Sequence, residues 1–213
     1  MPLRNACFIS YRHGQHDLMK TFIDDFHKAL NAELEPLCGS DMISIDKERL
    51  KDGDFYNEAL ASELCQSACM VVVYVPTYFH NDSRYCAREF AAMPQLESER
   101  LKRLPKSTRE QGLIVPVVLR GFAELPASIA EQRHCYNFED YALGDRRLSR
   151  HPKCRGQVRQ LAAYISERFR SLVRLPETNF RCDEFKLPSE NHRDVAALVS
   201  DGFPPLPGRR RPR

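Results

Sequence analysis

Tyr85-Cys86-Ala87-Arg88-Glu89-Phe90 sets a carboxylate inside an apolar helical pattern. Cys86, Glu89, Phe90 and Met93 recur at i, i+3, i+4 and i+7, which puts Glu89 on or beside the apolar face of its helix. A buried carboxylate is costly unless something pairs with it, and a merely solvated Glu has no reason to be on that side. It serves a ligand, or it completes a structural ion pair with Arg12 or Arg88. Two further pieces carry groups suited to binding. Ala6-Cys7-Phe8-Ile9-Ser10-Tyr11-Arg12 reads as a strand ending in a hydroxyl, a phenol and a guanidinium. Residues 46–54 read as an acidic loop, with Asp46, Glu48 and Gly53, that leads into a helix opened by Phe55. If the strands are parallel, all three pieces meet at one edge of one sheet, where open α/β sheets bind their ligands.

The elements that would position these groups alternate regularly. Strand patterns cover 6–11, 42–46, 70–75, 113–119 and 135–138. Helical spacing runs from Leu18 through Phe22, Phe26 and Leu30 to Leu34, then over 54–66, over 83–93 up to Pro94, and over 155–173. Met70-Val71-Val72-Val73-Tyr74-Val75 is continuously apolar, as a central strand buried on both faces requires. Pro116 inside the fourth strand predicts a bulge or an N–H position that faces an edge. Residues 95–112 form a polar Lys/Arg/Glu-rich stretch. Five strands alternating with helices predict an α/β, flavodoxin-like, doubly wound parallel sheet over residues 5–175.

Beyond Leu175 six of the fourteen prolines fall in residues 176–213, so a loosely packed, basic tail is expected. Within it, Val195, Leu198 and Val199 predict one short helix over 190–200, capped by Ser189 or Asn191 and able to dock on the domain or on a partner. Arg209, Arg210, Arg211 and Arg213 together exceed the whole net charge of +3, so the folded part is slightly acidic. That argues against a nucleic-acid-binding domain. No apolar run is long enough to span a bilayer, and Met1-Pro2-Leu3-Arg4-Asn5 shows no signal-peptide pattern, so a cytoplasmic protein without a membrane partner is expected.

Eight cysteines are present, but no C-x-x-C pair. Cys7, Cys69 and Cys135 lie in strand-like runs and Cys65 and Cys86 in helix-like ones, which suits buried free thiols better than a disulfide framework or a zinc site. Cys86 with His80 offers a nucleophile and a base, yet no third orienting group follows from the spacing.

Together, Phe8-Ile9-Ser10-Tyr11-Arg12, Ile45-Asp46…Leu50…Gly53…Phe55 and Tyr85-Cys86-Ala87-Arg88-Glu89 resemble a Toll/interleukin-1 receptor (TIR) domain over roughly residues 5–173. The family has scaffolding members, which assemble with other TIR domains, and catalytic members, which cleave NAD+ to nicotinamide and an ADP-ribose product. The resemblance implies that Glu89 is the essential carboxylate of the catalytic kind. It further implies that Ser10, Tyr11, Arg12, Asp46, Glu48, Phe55 and Tyr85 surround the substrate. Phe55 would lie against nicotinamide or ribose, and Arg12 would meet pyrophosphate bidentately. The first core position of a helix is the plainer account of Phe55, and a solvated loop charge that of Glu48. Tyr85 stands where many catalytic members carry Trp, and the chain has none.

The expectation is therefore an NAD+ glycohydrolase or cyclase of immune or antiphage defence. NAD+ is its substrate; no cofactor or metal is called for. Its partners would be other TIR domains, in a homo-oligomer or filament, and a separate sensor or effector protein. A non-catalytic TIR scaffold is the alternative. A phospho-acceptor domain of the same fold fits less well, because the acidic residues do not cluster with a Lys at the strand ends.

Overall fold

The computed structural model describes residues 3–13, 17–45, 56–80, 84–131, 133–141, 148, 151–175 and 182–201. Five parallel strands form one sheet: β1 (Asn5–Tyr11), β2 (Ile43–Ile45), β3 (Ser67–Tyr74), β4 (Ile114–Val118) and β5 (Tyr136–Asn137), in the order β2-β1-β3-β4-β5. In the doubly wound sheet the order reverses between β1 and β3, the point at which open sheets of this kind bind their ligands. Every residue of β3 is buried, as its unbroken apolar run requires.

Helices cover both faces. α1 (Asp17–Cys38) and α5 (Pro152–Val173) pack on each other, and α5 lies on β1 and β3. α2 (Tyr56–Cys65) and α3 (Arg84–Leu101) take the other face; α4 (Ala127–Ala130) is a single turn before β5. Phe22, Ile23, Phe26, Leu30 and Leu34 are all buried, so the stripe read from the sequence is the one that meets the core. No described helix is long and apolar enough to cross a membrane.

Three expectations need correction, and at Pro116 one of the two expected alternatives holds. The third helix does not stop at Pro94 but continues through it to Leu101, turning the first part of the polar stretch into helix. Pro94 removes one hydrogen bond. Leu96, Glu97 and Arg100 on the following turns are buried and hold the helix against the sheet. Arg100 Nη1 donates to Ser67 O at 2.8 Å, and Glu97 accepts from Ile114 N at 3.2 Å.

Pro116 causes no bulge, since β3 and β4 pair in unbroken register. Leu113 O and Leu119 N bond to β3, so the alternate backbone groups, including the nitrogen of Pro116, face the β5 side. There β5 pairs only from Val117 onward. The edge-facing alternative is the one the fold uses.

Cys65 is not a free thiol. It is disulfide-bonded to Cys182 across a sequence separation of 117 residues, whereas Cys7, Cys69 and Cys86 are free and buried as expected.

The tail is not loose over 182–201. α6 (Arg193–Asp201) packs on α3 with Val195 buried, and its cap is neither Ser189 nor Asn191: His192 Nδ1 accepts from Asp194 N at 3.3 Å. Residues 202–213 lie outside the described part.

Candidate functional site

The C-terminal end of β1 brings Ser10 and Tyr11 to the strand-order reversal. Ser10 is completely buried, and its hydroxyl donates to Glu89 Oε2 of α3. The apolar spacing of α3 places Glu89 there: Cys86, Phe90 and Met93 are buried on the same side, and Glu89 itself is 2% exposed. Arg88 does not neutralise this carboxylate. Its Nε donates to Pro188 O at 2.7 Å and its Nη1 to Asn57 Oδ1 at 3.0 Å.

A third hydroxyl joins from the segment between β3 and α3. Tyr78 N donates to Val75 O at 2.8 Å, closing a turn that directs the phenol back toward β1. The phenolic oxygen of Tyr78 meets Ser10 Oγ, and Tyr78 is fully buried. Its ring is fixed edge-on to Phe79 at 4.8 Å, and Phe79 meets Phe90 of α3 at 5.2 Å. One aromatic ladder thus fixes Tyr78 and α3 together. Burial, followed by the neighbouring Cys86 and Glu89, pushes the Tyr78 phenol well above its ordinary 10, so it stays protonated. The only signal for Tyr78 in the sequence was a phenol directly after the strand-ending Pro76-Thr77.

The other expected residues divide into two groups. Tyr11 is half-buried, stacks on His13 at 4.5 Å, and accepts the Cys86 thiol at its carbonyl at 3.4 Å. Arg12 is half-buried at the end of β1, and Tyr85 is 37% exposed, with the Arg88 guanidinium 5.4 Å from its ring centre. These residues share the β1–α3 corner with Glu89. Asp46, Glu48 and Phe55 lie outside the described residues.

A second polar cluster occupies the opposite end of the sheet. Arg133 Nη2 reaches Glu97 Oε2 at 2.8 Å, and Nη1 reaches Oε1 at 2.9 Å. Burial alone would raise the Glu97 carboxyl, but Arg133 and the Leu113 and Ile114 amides outweigh it and hold it below its ordinary 4.5. Beside it lies a cavity of about 340 Å³ lined by Gly112, Arg133, Tyr136 and Tyr164. Another, of about 550 Å³, separates α2 from residues 182–187. Neither is lined by Ser10, Tyr78 or Glu89. Glu97 and Arg133 hold backbone amides and each other, which is structural work.

No protein-family model and no curated protein matches the chain. Its chemistry must therefore be read from its own side chains. Among the described residues no group of three or more His, Cys, Asp or Glu could hold a metal ion. The β1–α3 corner holds one buried carboxylate oriented by a hydroxyl, the kind of group that stabilises a cationic or electron-poor centre.

Proposed function

We propose that this chain cleaves NAD+, as a TIR-like glycohydrolase or cyclase acting in immune or antiphage defence and activated by self-assembly. The observation that carries this reading is Glu89, a carboxylate 2% exposed at the strand-order reversal and held by a hydroxyl. A buried carboxylate costs several kcal/mol without compensation. A position where ligands bind in such sheets gives it a use.

One carboxylate suffices for this chemistry. In NAD+ the bond from the pyridinium nitrogen to ribose C1′ breaks, and its electron pair leaves with nicotinamide, which becomes neutral. No acid has to protonate the leaving group, unlike in ordinary glycoside hydrolysis. The ribose is left oxocarbenium-like, and Glu89 stabilises the developing charge or accepts the ribose hydroxyls. Water then adds at C1′ and releases a proton, giving ADP-ribose. Attack by a nitrogen of the same molecule gives a cyclic isomer instead. Arg12 at the end of β1 is the candidate partner for pyrophosphate.

The burial of Glu89 also favours a second reading, a TIR-like scaffold in which the Ser10–Glu89 bond merely ties β1 to α3. Purified protein at high concentration, incubated with NAD+ and followed by chromatography of the products, separates the two. Nicotinamide release that disappears in Glu89→Gln supports catalysis. A folded wild-type protein that leaves NAD+ intact across a wide concentration range supports the scaffold.

A further inference from the structure

Ser10 has a single hydroxyl proton, and an ionised Glu89, which can only accept, takes it at Oε2. The contact between Ser10 Oγ and the Tyr78 oxygen therefore requires Tyr78 to donate. The three groups form a one-directional chain, from the Tyr78 O–H to Ser10 Oγ and from the Ser10 O–H to the carboxylate. Tyr78 and Ser10 are fully buried, so no solvent competes for either bond.

We propose that Tyr78 is a positioning residue which, through Ser10, orients the Glu89 carboxylate and favours its ionised form at the β1–β3 strand-order reversal. The proposal rests on the assignment of Glu89 as the working group. Donation by Tyr78 polarises the Ser10 hydroxyl and strengthens its bond to the anion. The ring is locked against Phe79 and Tyr74, so the donor cannot swing away without breaking that packing. The same ladder reaches Phe90, the residue after Glu89, so donor and acceptor shift together. Among the described titratable groups near this corner, the Cys86 thiol lies one turn earlier on α3, and Tyr11 and Arg12 stand at the end of β1. Arg88 is held by Pro188 and Asn57.

The test uses the full chain with 13C-labelled Glu carboxyls, comparing wild type with Tyr78→Phe and Ser10→Ala. Glu89→Gln assigns the resonance. Tyr78→Phe keeps the ring and its packing, and Ser10→Ala provides a second break in the chain if the first variant melts early. The Glu89 titration midpoint should rise in both variants, more in Ser10→Ala. For NAD+ turnover, kcat should fall roughly tenfold or more in Tyr78→Phe with KM within about twofold, and the acid limb of the kcat–pH profile should move to higher pH. A merely structural Tyr78 would lower the melting temperature and leave both midpoints in place. Unchanged midpoints in two folded variants overturn the proposal. Raised midpoints in a protein that does not consume NAD+ uphold the Tyr78–Ser10–Glu89 link and sink only the NAD+ assignment.

Discussion

Cys65, the last residue of α2, is covalently joined to Cys182, so the segment after α5 is bound back to the helix that follows the acidic loop. Both residues are buried, and the same strap delivers Leu187, Pro188 and Val195 to the α2–α3 face. Closing a loop of this length removes chain entropy from the unfolded state, a contribution of about 2–4 kcal/mol. Cys182→Ser should therefore melt roughly 5–15 °C lower than the oxidised wild type. Amides of 182–201 should exchange faster, while those of β3 keep their protection relative to global unfolding. Identical melting with and without a dithiol reductant would show that the strap's side-chain contacts suffice.

Glu89→Gln keeps the size of the side chain and an oxygen for Ser10 but removes the charge. Loss of an electrostatic partner of the transition state costs about 3–4 kcal/mol, a hundredfold or more in kcat. Nicotinamide release by the variant within a few-fold of wild type, at unchanged melting temperature, would remove Glu89 from the mechanism.

Arg12 stands half-buried beyond the last residue of β1. A charge-assisted contact to a phosphate oxygen contributes about 1.5–3 kcal/mol, so Arg12→Ala should raise KM for NAD+ roughly tenfold or more and change kcat less. Steady-state kinetics with an unmoved KM would place the pyrophosphate elsewhere.

The Glu97–Arg133 pair makes an acid-stability prediction. The Glu97 carboxyl is held below its ordinary 4.5, so it binds protons more readily in the unfolded chain than in the native one. Its contribution is complete above about pH 5 and is lost as pH falls through the depressed native value. Glu97→Gln should unfold more easily at pH 7 by about 1.5–3 kcal/mol, because it leaves the half-buried Arg133 without its counter-charge. Its melting temperature should then fall less than that of wild type between about pH 5 and pH 3. Parallel curves for the two proteins would show that the pair carries no acid sensitivity.

Gly112 is coupled to the same carboxylate. A Cβ there would sit 2.6 Å from Glu97 Oε1, which two backbone amides and Arg133 hold in place. Gly112→Ala should destabilise by about 1–3 kcal/mol by displacing that oxygen. In a Glu97→Gln background the cost should be smaller, which a double-mutant cycle on melting free energies reads directly.

Periodicity by itself determined the strand–helix alternation, the parallel sheet and the apolar side of α3 that carries Glu89, because each depends on local spacing and on burial of one face. It also put Ser10 and Tyr11 at a strand end, since an apolar run must stop where polar side chains begin. The sequence could not decide which partner meets Glu89. Arg12, Arg88 and Ser10 are all close in the topology, and it is the packing of α3 on β1 that brings the Ser10 hydroxyl to Glu89 while Arg88 turns to Pro188 and Asn57. Tyr78 was out of reach for the same reason: the turn after β3 aims its phenol, and nothing in the spacing does. Pro94 read as a stop because local rules count the lost hydrogen bond, whereas contacts made by Glu97 and Arg100 with distant strands outweigh it. Cys65 and Cys182 are far apart along the chain, and only docking of the strap across α2 and α3 brings their Cα atoms to 5.5 Å.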